Sequence, residues 1–433
     1  MQTLSLFLLS ASAVSAYPWV ANQPGVDSTL LPRNRNVKRQ SSNTGYDYAP
    51  GTCPFNANHQ PAAPYNSKYP YTGARNGLPG TGKGGILVPA DGDTAHEFQA
   101  PGPNDIRGPC PGLNAAANHN FLARDGITTF NELVDAQQNV YNVGHDLATL
   151  LATLGILADG DILTEKLSIG CDATSRTATL GGALGAEPGL AGHNKFEADS
   201  SLTRNDYFTH NGNDYSFNGT LFGRMKDTAD RVSGGNFDRN TLAAYRSQRY
   251  DESVQENPNF FFGPLALLLY GASSFLYELF PNFGNEGTPD LKTIATFFGT
   301  YQDSNGEWQA GPERIPDKWY SRRTPYTNND VTLEILAQYV QYPKLFGGNV
   351  GTNNFDALST PFGILTDGKL PSAATAGDIL CLLYQLGTQA VPSSLSVVTD
   401  IPLSLLNWSA GKLNPVFKNA GCELRPDQTS SSA

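Results

Sequence analysis

The chain has 433 residues, with 29 Lys and Arg against 40 Asp and Glu, a formal charge of -11 and a pI near 5.0. That length excludes a small disulfide-stapled scaffold, and the charge has the wrong sign for a phosphate backbone or an anionic membrane surface, so nucleic-acid binding is excluded as a function class. Five cysteines are an odd number, which in an oxidising compartment leaves at least one sulfur without an internal partner.

The first residues, MQTLSLFLLSASAVSA, form an apolar stretch closed by the small residues Ser15 and Ala16, and residues 1–16 are predicted to be a secretory signal peptide. Residues 17–39 end in the dibasic pair Lys38-Arg39 and form either a propeptide, with a mature start at Gln40, or a solvated basic linker. Asn218-Gly219-Thr220 and Asn407-Trp408-Ser409 are glycosylation acceptors that agree with a secreted protein, and export permits disulfides.

Residues 40–104, rich in Pro, Gly, Asn and Asp, are predicted to be an irregular arm that wraps a core. Helical spacing then dominates, over 113–122, 129–157 and 161–169, and again over 221–232 and 241–254 after a Gly-rich loop at 170–192 and an acidic stretch at 196–208. The most apolar run, residues 260–280, is long enough to span a bilayer, but Gly263, Pro264 and Gly271 interrupt it and Glu278 ends it. The prediction is therefore a buried core helix starting near Pro264 and no membrane span. Strand-like alternation is scarce, so the expected fold is mainly α, one large helical domain over 105–425 behind the arm.

Gly108-Pro109-Cys110-Pro111-Gly112-Leu113-Asn114 places Cys110 at a helix cap and Pro111 at the first helical position. A sulfur there faces the free amides of the first turn, and those donors with the helix dipole favour the thiolate that a metal ligand or a nucleophile needs. The same position also suits a buried thiol or a half-cystine. A hydrolase would need a His base, yet His119, His145 and His193 carry no flanking signature, and the cysteines at 53, 110, 171, 381 and 422 are too dispersed for a zinc site.

Taken together, the segment Asp105 to Asn114, Leu167-Ser168-Ile169-Gly170, and Phe196-Glu197-Ala198-Asp199 running on to Thr203-Arg204 resemble the fungal haem-thiolate peroxidases, chloroperoxidase and the unspecific peroxygenases. The likeness extends from about Asp105 to Phe283, with a weaker tail to Cys422. It implies a peroxidase or peroxygenase that uses hydrogen peroxide to oxidise an aromatic or apolar organic substrate, in some members within fungal secondary metabolism. It also implies haem b, with Cys110 as the proximal iron ligand whose electron-rich thiolate favours heterolytic O–O cleavage. By matching position, Glu197, the Ala198 carbonyl and Ser201 would hold Mg2+ against a haem propionate, all hard oxygen donors. A C-terminal disulfide between Cys381 and Cys422 is implied as well, its closure contributing about 3–4 kcal/mol. Cys53 and Cys171 either bridge the arm to the core or stay free.

The chain departs from this family on the distal side. Long peroxygenases carry an acid–base Glu after a Tyr-Gly pair, and here the stretch is Tyr270-Gly271-Ala272; no Arg lies between Arg249 and Arg314, and Ala198 replaces the His of chloroperoxidase-like members. Losing a positioned acid–base removes about 10²- to 10⁴-fold in rate. Three readings stay open: a substitute acid such as Glu278, His193 or Asp199, a slow enzyme with a dedicated substrate, or a haem-binding pseudoenzyme. Glu278 is read as a surface helix terminus and His193 as a hydrogen-bond partner behind the site. Phe260, Phe261, Phe262, Leu265, Leu268, Leu269 and Phe275 would supply an apolar lining or ordinary core.

Overall fold

Side-chain caps decide where the helices begin. Thr129, Thr327 and Thr375 each form a reciprocal capping box, with Glu132, Asp330 and Asp378 respectively, while Asn218, Asp238 and Asp290 accept single amides of the first turn. The computed structural model describes residues 53–178, 187–349, 351, 354–357, 365, 367–390 and 403–425. The signal peptide and propeptide expected over 1–39 lie outside these residues.

The longer helices are α1 (Pro111–Asn118), α2 (Phe130–Tyr141), α3 (His145–Asp159), α4 (Gly219–Ser233), α5 (Arg239–Glu256), α6 (Leu267–Glu278), α7 (Leu291–Phe297), α8 (Asn328–Gln341), α9 (Ala376–Gln385) and α10 (Leu403–Phe417). Among the described residues, seven strands of two or three residues make only small antiparallel sheets. The chain is thus mainly helical. The apolar run at 260–280 becomes a short strand at Phe261–Phe262, a 3-10 turn at Pro264–Ala266 and then α6, which packs between α5 and α8. Pro264 stands at the first position of that turn, where its missing N–H costs nothing. Among the described residues no helix is long and apolar enough to cross a membrane.

Two predicted helices change form. The pattern over 129–157 breaks into α2 and α3 because Asn142 adopts a left-handed conformation (φ 55°) that ends α2. The pattern over 161–169 is no helix: Asp161 Oδ1 accepts the amides of Leu163 and Thr164, closing a local turn, and Asp161 and Lys166 pair across it. A carboxylate that bonds its own downstream backbone competes with helix formation. The chain then enters strand β2 (Lys166–Ser168), which pairs with β1 (Ile127–Thr129), with Ile127 opposite Ser168.

The arm from Cys53 onward lies against the helices. Gly77 N–H donates to Asp135, Gly80 N–H to Gln138 and Thr72 Oγ1 to Asn139, three residues on α2, and Leu87 forms a bridge with Tyr320. Cys53 is bonded to Cys171 and Cys381 to Cys422. Of the two alternatives left open for Cys53 and Cys171, the structure takes the bridge.

Candidate active site

Cys110 caps α1, with Pro111 at the first helical position, and it is the one cysteine outside a disulfide. The amides of Gly112 and Leu113 point toward Sγ without closing a capping hydrogen bond, and together with Arg204 they act to lower the thiol pKa. Burial is the larger influence and pushes the thiol up, an outcome that the helix-cap reasoning does not anticipate because desolvation of the charged form outweighs two amide dipoles. A cation at the sulfur would favour its thiolate. With its four counterparts consumed in disulfides, it is the one cysteine sulfur left to hold a metal.

The sequence motifs that flank Cys110 meet in space. A methyl group added at Gly108 would lie 1.9 Å from the Ile169 carbonyl oxygen, and one at Gly170 would lie 2.4 Å from the Arg107 carbonyl oxygen. The two glycines permit backbone-to-backbone contact between the Cys110 loop and the end of β2. Asn114, buried on α1, accepts from Gly108 N–H at 3.0 Å, donates to the Gly108 carbonyl at 2.8 Å and donates to Glu313 Oε1 at 3.0 Å. Asn118, one turn on, donates to the Glu313 carbonyl and accepts from both Nε and Nη2 of Arg107. Tyr141 of α2 donates its hydroxyl to the Gly112 carbonyl at 2.7 Å.

Behind this loop Arg204 Nη2 lies 3.7 Å from Glu313 Oε1, both nearly fully buried. Arg204 favours the thiolate of Cys110 and Glu313 disfavours it, so the pair holds opposite charges beside the sulfur. Glu313 comes from a segment the sequence does not mark, and Asn114 is visible only as the last letter of the Cys110 motif.

The acidic motif folds into a buried cluster. Glu197 Oε2 lies 3.1 Å from His193 Nδ1, Asp214 Oδ2 lies 3.8 Å from the same nitrogen, and Asp199 Oδ2 lies 3.9 Å from Nε2. Tyr207 stacks on the His193 ring with centroids 4.4 Å apart. Burial raises the pKa of Glu197 to about 8 and holds the carboxyls of Asp199 and Asp214 well above their usual range. Two arginines of α5 fix the following residues: Arg246 donates to the Ser200 carbonyl and Arg249 to the Ser201 carbonyl. Ala198 and Ser201 are each half-buried beside this cluster. Asp214 carries no sequence signal; only the fold brings it to Glu197.

On α6 Leu269 and Phe275 are half-buried and Ala272, between them, is exposed, Tyr277 and Glu278 at its end are also half-buried, and Tyr270, Ser273 and Ser274 are packed inward. Glu278, the last residue of α6, is ion-paired with Arg322. Phe260 and Phe262 are fully buried core. Asn218, the first glycosylation acceptor, caps α4 and donates to Asn205 at 2.6 Å; Asn407 is half-buried on α10.

Residues 96–324 match the family described as "Peroxidase, family 2". The chain is 33% identical over 346 residues to an aromatic peroxidase of Fusarium equiseti, which covers 75% of this chain and 78% of that protein. It is 35% identical over 281 residues to a dothistromin biosynthesis peroxidase of Dothistroma septosporum, covering 63% of this chain and 66% of that protein. It is also 33% identical over 276 residues to an aromatic peroxygenase of Cyclocybe aegerita, covering 62% and 69%.

Proposed function

The chain belongs to peroxidase family 2 and is an oxidoreductase of the peroxidase or peroxygenase kind, and we propose that Cys110 would hold, through its thiolate, a haem that supplies the chemistry for oxidising an aromatic or apolar substrate at the expense of hydrogen peroxide. The observation that carries the assignment is the single unbridged sulfur at the start of α1, held by the Gly108–Gly170 contact and by Asn114. Haem bound there would supply the site for peroxide cleavage, made more favourable by electron donation from sulfur.

The chain's own residues perform the remaining work. The amides of Gly112 and Leu113, with Arg204, offset part of the desolvation cost of a thiolate at the half-buried Cys110. The accessible stripe Leu269, Ala272 and Phe275 presents an apolar face suited to an aromatic substrate, with no carboxylate at 272 to move a proton between peroxide oxygens. Glu278 is held in its ion pair with Arg322, and His193 and Asp199 in the acidic cluster, so none is assigned as a substitute acid. Proton transfer is then the slow step, in keeping with a narrow role on one metabolite. A place in secondary-metabolite biosynthesis is supported by the relative named for dothistromin, and secretion by the two disulfides. The magnesium donors read from the motif, Glu197, the Ala198 carbonyl and Ser201, would hold that ion through oxygen atoms, and Glu197 Oε1 is buried without a hydrogen-bond partner.

Reduced protein exposed to carbon monoxide should show the red-shifted Soret band of thiolate-ligated haem, and Cys110→Ala should abolish it. A colourless purified protein, or an unchanged band in the variant, overturns the assignment. Ala272→Glu should raise peroxide-dependent turnover about 10²-fold or more if the missing acid limits the rate, and leave it unchanged if the protein is an inert haem carrier.

A further inference from the structure

Glu313 is a buried carboxylate, 2% exposed, on the connection from α7 to α8. Its Oε1 accepts the side-chain amide of Asn114 at 3.0 Å, and its carbonyl accepts that of Asn118 at 2.7 Å, so two successive turns of α1 fix its position. Asn114 stands one turn beyond Cys110: its N–H donates to the Cys110 carbonyl at 3.1 Å, and its side chain bonds both the amide and the carbonyl of Gly108. A single side chain therefore separates this carboxylate from the loop that carries the sulfur.

The charge on Glu313 is not required by these contacts. A glutamine at 313 would accept from Asn114 equally well, whereas an ionised group in the interior carries a desolvation cost. Arg204, with Nη2 3.7 Å from Oε1 and its guanidinium 5.7 Å from the centre of the Phe217 ring, holds the carboxylate in its charged form. Both members are nearly fully buried, where solvent and salt screen them little. They act on Cys110 in opposite senses, Arg204 favouring negative charge on the sulfur and Glu313 opposing it.

We propose that Glu313 is a positioning residue for the reaction, acting through Cys110 to set the reduction potential of the iron that the sulfur would hold, with Arg204 as the opposing charge. The inference rests on the haem assignment made above. Ferric haem carries one positive charge more than ferrous haem, so a negative charge close by stabilises the ferric form and lowers the potential, and a positive charge raises it.

The haem-loaded full chain would be titrated spectroelectrochemically beside Glu313→Gln and Glu313→Asp, with the ferrous carbon monoxide spectrum as the check on thiolate ligation. Glu313→Gln should keep the red-shifted Soret band and raise the ferric/ferrous midpoint potential. Glu313→Asp keeps the charge but shortens the reach to Asn114, so its upward shift should be the smaller of the two. A merely structural role reverses that order, because glutamine retains the bond to Asn114 and aspartate does not. An unmoved potential in Glu313→Gln with the thiolate band intact, or a larger shift in Glu313→Asp, overturns the inference and leaves the haem assignment standing. A parent protein without the thiolate band overturns the haem assignment and this inference with it. If Glu313→Gln does not fold by circular dichroism, Arg204→Gln decides: loss of the cation should lower the potential, and an unchanged or higher value overturns the inference.

Discussion

Asn114→Ala should cost about 3–5 kcal/mol of stability and disturb the cysteine site together, because one side chain serves both. Asn114 is 1% exposed and makes three hydrogen bonds, two of them to the backbone of Gly108, two residues before Cys110. Each neutral bond contributes roughly 1 kcal/mol net, and the third, to the Glu313 carboxylate, about 1.5–3 kcal/mol. Truncation also leaves the Gly108 amide and carbonyl buried without these partners. Urea unfolding should show a lower midpoint with an unchanged slope, since the folded state keeps the same buried surface. The carbon monoxide spectrum of the haem-loaded variant should lose intensity in the thiolate-type Soret band as the Cys110 loop loosens. Asn114→Asp retains an acceptor for Gly108 N–H but puts a second negative charge beside Glu313 and the sulfur, so it should destabilise as well. A loss under about 1 kcal/mol for Asn114→Ala, with an unaltered spectrum, refutes the idea that this side chain holds the loop.

Gly170→Ala should destabilise by about 1–3 kcal/mol, since its methyl would meet the Arg107 carbonyl oxygen at 2.4 Å and Ile106 Cγ2 at 2.6 Å; differential scanning calorimetry would read it. His119, 3% exposed, bonds to the His96 carbonyl through Nδ1 and accepts Ile315 N–H at Nε2, and burial lowers its pKa from 6.5 to about 4. The unfolded chain therefore binds the proton first, so this contribution is present above pH 6.5 and is lost as pH falls toward about 4, by about 3 kcal/mol in all; His119→Gln should flatten that part of the stability–pH curve. Serine at both Cys53 and Cys171, which are 118 residues apart, should cost up to about 5 kcal/mol by chain entropy, against about 4 kcal/mol for the Cys381–Cys422 pair 41 residues apart. Equal denaturation midpoints for the two double variants and the parent would contradict this ordering.

Much of the fold was legible because its signals are local. The three- and four-residue spacing of apolar residues marked α4 and α5 nearly to their ends, and Pro264 marked the start of the core helix segment. Such patterns survive in any window of a dozen residues. Where a short-range competitor intervened, the reading failed: Asp161 bonds the amides of Leu163 and Thr164 and turns an apparent helix into a hairpin, and Asn142 divides one long pattern into two helices.

By itself the sequence determined that Cys110 stands at a helix cap, that the Gly108, Gly170 and Glu197 motifs accompany it, and that no carboxylate follows Gly271. Only the tertiary structure decided that Gly108 and Gly170 touch, that Glu313 and Arg204 balance charge beside the sulfur, and that Asp214 faces Glu197. No local period records those pairs. The pKa of Cys110 is of the same kind: the cap that favours thiolate is written in four consecutive residues, but the burial that outweighs it belongs to everything packed around them.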